Sequence, residues 1–221
     1  MPVRQTRLQA GFRARNRVGT TDRSVNPADP YNARVNSLDS LRGVDVYLID
    51  QLLKGRIPGD ARLLDVGCGG GRNLRWFEAN GHATVGVDRS IVDASGPRVC
   101  GEAATLPFRT AAFDVVLCVA VLHFAHDAKH FGEMVQECWR VLRPGGLFFA
   151  RLATTLGIED AVVPLARGWY ALPDGSERYL ASASDLHDWE ARLGALPLDP
   201  LKSTLVENQR SMTTWVLQKP V

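Results

Sequence analysis

The sequence predicts an α/β protein: a mostly parallel, seven-stranded sheet with helices on both faces and an antiparallel C-terminal edge. Three observations carry this. Short apolar runs alternate with stripes at helical spacing between residues 37 and 152. The first run passes directly into the glycine cluster Gly67 to Gly71. Two further strand-like runs close the chain, separated only by a polar stretch.

Taken in order, residues 24 to 36 are turn-rich, with two prolines, and read as a loop. Leu41, Val44, Leu48 and Leu52 then recur at spacings of three and four, a helical stripe that Ser37 can cap and that Gly55 and Pro58 end. Arg62 to Val66 is a short strand, and a helix follows from Arg72 to Ala79, stopped at Asn80-Gly81. Ala83 to Val87 is the second strand, ending at Asp88; Arg98 to Gly101 is the third. Only thirteen residues separate Asp88 from Glu102, so the helix between these strands is short or missing. Phe113 to Val119 is apolar almost throughout, as in a strand covered on both faces. Asp127 caps a helix with the stripe Phe131, Met134, Val135, Cys138 and Leu142, which Arg143-Pro144-Gly145-Gly146 stops before a fifth strand, Leu147 to Leu152. Residues 153 to 183 are an insertion in which Trp169 to Leu172 and Glu177 to Leu180 flank Pro173-Asp174-Gly175-Ser176, a β-hairpin pattern. Ser184 caps a helix with Leu186, Trp189, Ala191 and Leu193, and the strands Leu201 to Val206 and Thr213 to Leu217 complete the chain.

With 221 residues, 45% hydrophobic and 23% charged, the chain has the length and composition of one large globular domain. The longest apolar run, Val115 to Leu122, is far too short to cross a membrane. Cys68, Cys100, Cys118 and Cys138 form no CxxC pair, so they read as small apolar residues in a reducing, cytoplasmic setting rather than as a metal cage. Residues 1 to 23 hold six arginines against Asp22 alone, which gives this stretch +5 and leaves −3 of the net +2 for the remainder. We read residues 1 to 36 as a basic, flexible arm and loop, and 37 to 221 as the functional domain, with its core at 60 to 152, the insertion at 153 to 183 and the closing helix and strand pair at 184 to 219. An arginine-rich arm also suits a transit peptide or a phosphate contact, although Pro2, Gly11 and Gly19 interrupt any amphipathic helix. The acidic body argues against a nucleic-acid partner.

The glycine loop carries the chemistry. Leu63-Leu64-Asp65-Val66-Gly67-Cys68-Gly69-Gly70-Gly71-Arg72-Asn73 is a strand running into a loop that opens a helix, where the main chain can meet a ligand without side chains intervening. A dinucleotide fingerprint needs a third glycine that this loop lacks: Arg72 and Leu74 stand at the two positions where it would fall, which argues against a nicotinamide oxidoreductase. No GxxxxGK phosphate loop occurs.

Five blocks together resemble the class I S-adenosylmethionine-dependent methyltransferases: Asp65 to Gly71, Gly86-Val87-Asp88, Gly101 to Phe108, Phe113 to Leu117 and Arg140 to Gly146. The resemblance covers residues 60 to 150 well, 184 to 219 loosely and the first 58 hardly at all. Gly71-Arg72-Asn73 is similar to the tellurite-resistance branch of that family. A Rossmann-like fold, S-adenosylmethionine as cofactor and a small-molecule acceptor are what the resemblance implies. Gly67, Gly69 and Gly71, with Cys68 and Asn73, would line the methionine and ribose portions; Asp65 would orient the loop or meet the amino group. Asp88, followed by Arg89, would accept from both ribose hydroxyls. Glu102 and Ala103 match positions beside the adenine, and Cys118, Val119 and Ala120 the turn beside the methionine. His123, just beyond the fourth strand, would contact the acceptor or serve as a base, with Trp169 and Tyr170 as a substrate wall. His123, His126 and His130 fall at spacings of three and four, but in a loop this does not mark a metal site, and no metal is expected. No catalytic pair stands out, as expected if alignment of acceptor and methyl does most of the work. An acceptor on protein or nucleic acid is the alternative, favoured by the basic arm alone.

Overall fold

The computed structural model describes residues 39–90 and 96–221. The basic arm, the loop to residue 36 and the Ser37 cap lie outside the described residues. Strand β1 (Arg62–Val66) sits at the centre of the main sheet. Parallel to it run β2 (Ala83–Asp88), β3 (Arg98–Cys100), β4 (Phe113–Val119) and β5 (Leu142–Ala153). Beyond β5, β11 (Arg210–Gln218) pairs antiparallel, then β10 (Lys202–Val206), giving the order β10-β11-β5-β4-β1-β2-β3. The expected seven strands lie along this path, and a two-residue strand, β9 (Leu196–Pro197), pairs with β11 off it. This is the Rossmann-like arrangement. Strand order turns back between β1 and β4, which opens a crevice at their carboxyl ends.

The apolar character of β4 is divided by its two-residue period. Val116 and Cys118 enter one core with α3 (Ala128–Val141) and Leu186 of α4 (Ala183–Leu193). Val115, Leu117 and Val119 enter the other, with Leu48 of α1 (Val46–Leu53) and Phe77 of α2 (Arg75–Ala79). The sheet is therefore a filled middle layer, and only its edges and strand ends are open to function. The insertion forms its own sheet of β6 (Val163–Pro164), β7 (Trp169–Ala171) and β8 (Glu177–Tyr179), the last two being the expected hairpin.

Several boundaries differ from the sequence pattern, each for a local reason. The helix carrying Leu48 and Leu52 begins at Val46, because Gly43 at φ +82° breaks the chain and Asp45 caps, accepting from the Tyr47 N–H at 2.9 Å. Residues 71 to 74 are tight turns, so α2 starts at Arg75. The cap of α4 is Ser182, not Ser184: Ser182 Oγ accepts from the Asp185 N–H, and the Asp185 carboxylate accepts from the Ser182 N–H. The segment Arg143 to Gly146 stops α3 as expected but already belongs to β5, which pairs with β4 across a register shift. The closing hairpin turns on Glu207 and Asn208, both at positive φ, so β11 begins three residues earlier than its apolar run.

Candidate functional site

A cavity of about 220 Å³ opens at the carboxyl ends of β1, β2 and β4. Gly67, Asp88, Arg89, Glu102 and Ala103 line it, all of them predicted site residues. The loop's main chain is held from below, where the N–H groups of Gly67 and Cys68 donate to the Val87 carbonyl at 2.7 and 3.1 Å. It is held from the side by Asp88, whose Oδ2 accepts from the Gly69 N–H at 2.9 Å while Oδ1 accepts from the Ser90 N–H at 3.1 Å. A carboxylate offers about four acceptor positions, so two remain for a ligand.

The glycines serve different ends. A Cβ on Gly67 would stand 2.2 Å from Val121 Cγ2, and one on Gly71 2.2 Å from Arg98 Nη2. A Cβ on Gly69 would meet nothing within 4 Å. Arg98, its side chain 4% exposed, runs from β3 under the loop to Glu78 at 3.0 Å and brings a guanidinium near Asp65. Asp65 is 1% exposed, and its Oδ2 has no hydrogen-bond partner. Burial pushes its carboxyl up to about 7, against the opposing pull of Arg98 and Arg72 and with a small push from Asp88.

The chain order of the strands, the glycine loop and the acid after β2 converge with a direct match: residues 64–150 fit the family described as "Methyltransferase domain". Over that stretch the chain is similar to the class I S-adenosylmethionine-dependent methyltransferases, and it carries their fold. It is 30% identical to a malonyl-[acyl-carrier protein] O-methyltransferase from Enterobacter lignolyticus, over 55% of this chain and 50% of that protein. It is 32% identical to a tRNA (carboxymethyluridine(34)-5-O)-methyltransferase from Mus musculus, over 52% of this chain and 18% of that one. The chain thus spans half the length of these curated relatives or less. Among solved structures, the Burkholderia thailandensis 1,6-didemethyltoxoflavin-N1-methyltransferase shares the fold with a TM-score of 0.60 at 19% identity, covering 86% of this chain and 84% of that chain. None of these relatives points to the tellurite-resistance branch, which rests on the Gly71-Arg72-Asn73 tripeptide.

Other predicted residues of the methyltransferase domain stand back from the cavity. Asn73 is buried, and its Oδ1 accepts from the Asp45 N–H at 3.1 Å; Asp45 in turn pairs with Arg151 at 2.7 Å. Asn73 therefore ties the loop to the start of α1 and the end of β5. Cys118 and Val119 point into the two cores, and the hydrogen bond with the Cys138 thiol, together with burial, holds the Cys118 thiol well above its ordinary range. The cavity wall at this turn is made by Ala120, at φ +61°, and Val121.

His123 is 7% exposed, and its Nδ1 accepts from the Ala153 N–H at 3.1 Å. Burial, with Arg178 nearby, lowers it to about 4, so the ring is neutral at pH 7 with its proton on Nε2. Trp169 packs on the body, its indole donating to the His126 carbonyl at 3.0 Å. Tyr170 packs on the insertion's own cluster of Ala153, Ile158, Val162, Leu172 and Leu180. The lining residues that sequence reading passed over are Val121, Phe124, His130 and Met134. His130 and Met134 lie four apart on α3, so one face of that helix reaches the cavity; the sequence signal was present in the spacing. Phe124 is 46% exposed despite its apolar ring.

Proposed function

We propose that the chain transfers the methyl group of S-adenosylmethionine to a small-molecule acceptor. The observation that carries this reading is Asp88: a carboxylate ending β2, anchored by the Gly69 N–H, on a cavity shared with Glu102 and Ala103. The open space beside Gly69 and the unpartnered Oδ2 of Asp65 suit a cofactor with a charged amino group, and the toxoflavin enzyme was solved with S-adenosylhomocysteine.

When bound, the cofactor supplies an electrophilic methyl on a sulfonium sulfur. Asp88 would accept from the ribose hydroxyls, Glu102 would accept from the adenine amino group, and the Ala103 main chain would lie along the base. Val121, Phe124 and Met134 form an apolar wall that excludes water from the transfer. Holding acceptor and methyl in line is worth roughly 7–11 kcal/mol, enough to make positioning the chain's main contribution. The described residues have no helix long and apolar enough to cross a membrane, and four free cysteines support a cytoplasmic setting.

Calorimetry with S-adenosylhomocysteine tests the reading: the wild type binds, and Asp88→Asn binds at least tenfold more weakly while remaining folded. Equal affinity in the two proteins removes Asp88 from the site. A macromolecular acceptor is the second reading, favoured by the tRNA-modifying relative and the six arginines of residues 1 to 23. Labelled methyl appearing in RNA, with steep salt dependence that deletion of residues 1 to 23 removes, would establish it instead.

A further inference from the structure

The geometry points to an acceptor that is already ionised, a small-molecule carboxylate, received at the mouth of the cavity by the guanidinium of Arg178 and the Nε2–H of His123. This rests on the cofactor reading above and names its substrate class.

Arg178 stands on β8, in register with Tyr170 on β7. Its guanidinium lies over the ring of Phe124, 5.2 Å from the centroid, and Phe124 lines the cavity. The one hydrogen bond it makes among the described residues is from Nη1 to the Glu177 carbonyl at 2.6 Å. No carboxylate lies within salt-bridge distance of it among the described residues; Asp174, the acid that feels its field, is paired with Arg210 at 3.2 Å. A half-buried guanidinium with most of its five donors unused, stacked on an exposed aromatic ring, has the form of a carboxylate receptor.

His123 lies beside both groups. Its ring centroid is 4.6 Å from that of Phe124, and the field of Arg178 reaches it. Because Nδ1 already accepts from Ala153, the neutral ring presents a donor at Nε2 and has no free lone pair. His123 therefore cannot take a proton from a hydroxyl or ammonium acceptor, but it can donate to an anionic oxygen. Nothing else described near Phe124 supplies a base. Asp88 and Glu102 line the end of the cavity assigned to the cofactor, the His130 Nδ1 is occupied by the His126 N–H at 3.1 Å, and burial pushes the Tyr179 phenol up to about 12. His126 is exposed and stacked on His130.

A carboxylate fits this environment because it needs no base. One of its oxygens forms the bond to the methyl carbon as the carbon–sulfur bond breaks and that electron pair returns to sulfur. The negative acceptor and the positive sulfonium become a neutral methyl ester and a neutral thioether, and no proton moves.

The test uses the full chain loaded with S-adenosylhomocysteine and two matched pairs of probes, benzoate with phenol and hexanoate with hexanol. The carboxylate of each pair should bind at least tenfold more tightly than its neutral partner. Arg178→Gln should lose that preference while keeping its melting temperature and its affinity for S-adenosylhomocysteine, and Arg178→Lys should keep part of it. With labelled S-adenosylmethionine, the product from the acids should release its label as methanol in mild base. Equal binding of acid and neutral partner, an unchanged preference in Arg178→Gln, or a product stable to base each overturns the proposal. A wild type that fails to bind S-adenosylhomocysteine overturns the cofactor reading beneath it.

Discussion

Asp65 offers a quantitative test of how the glycine loop is built. Its carboxyl lies beneath the loop, with Oδ2 unpartnered, and burial raises it from 3.8 to about 7. At 1.36 kcal/mol per unit, the ionised form costs the folded protein roughly 4 kcal/mol. Between pH 3.8 and 7 the folded chain binds more protons than the unfolded one, so this group makes stability fall as pH rises, with the full loss present above 7. His123 acts in the opposite sense. Its folded value is depressed from 6.5 to about 4, so across that window the unfolded chain binds more protons and stability rises with pH. The two nearly cancel in the wild type, and only a difference between proteins isolates either. Asp65→Asn keeps the shape and removes the titration. Urea denaturation of both proteins at pH 4.5, 6 and 8 should show the variant gaining on the wild type by roughly 3 kcal/mol across the series, since part of the loss is already present at pH 4.5. A stability gap independent of pH would refute the argument, and with it the picture of a buried, ionisable carboxyl under the loop. A group held at such a cost where a ligand is expected reads as functional rather than structural.

Two other substitutions separate the loop's structural parts from its binding parts. Gly67→Ala combines φ +71° with a Cβ 2.2 Å from Val121 Cγ2, so thermal melts should show a loss of about 2–5 kcal/mol, with cavity binding impaired through Val121. Asn73→Ala strands the buried Asp45 N–H and should cost about 1–3 kcal/mol by urea denaturation, yet leave S-adenosylhomocysteine affinity within about threefold, since Asn73 does not line the cavity.

The elements most legible in the sequence were those decided by local pattern. Phe113 to Val119 was bounded correctly because both its faces are apolar, and Asp127 as a cap because nothing nearby competes for the role. Ser182 and Ser184 do compete, and the Asp185 carboxylate selects Ser182, a cue that stands in the S-x-x-D spacing. Non-local contacts were not legible. Asn73 sits inside the glycine motif, yet its partner is the main chain of Asp45, twenty-eight residues away. The hairpin was legible, but not which of its faces meets the body. Alternation sends Trp169 and Tyr179 one way and Tyr170 and Arg178 the other, and only packing of Tyr179 on Phe131, at 5.2 Å, settles the direction. Trp169 and Tyr170 thus support the fold, and Arg178, in register with Tyr170 on the neighbouring strand, faces Phe124.

The same division explains the spacing of the glycine loop. The outer glycines make room for protein: Gly67 for Val121, at the turn after β4, and Gly71 for the Arg98 guanidinium. The middle one, Gly69, faces open space and lends its N–H to Asp88, so it is the glycine whose missing side chain a ligand would use. Arg98 matters here because it opens β3, the edge strand beside β2. Its guanidinium fills the space under the loop, paired with Glu78 of α2 and within the field of Asp65. Gly86 belongs to the same arrangement, since a Cβ there would stand 2.6 Å from both Arg98 Cδ and Cys68 Sγ. The G-x-G-x-G pattern is therefore two packing requirements around one binding requirement, and a motif match alone does not tell them apart.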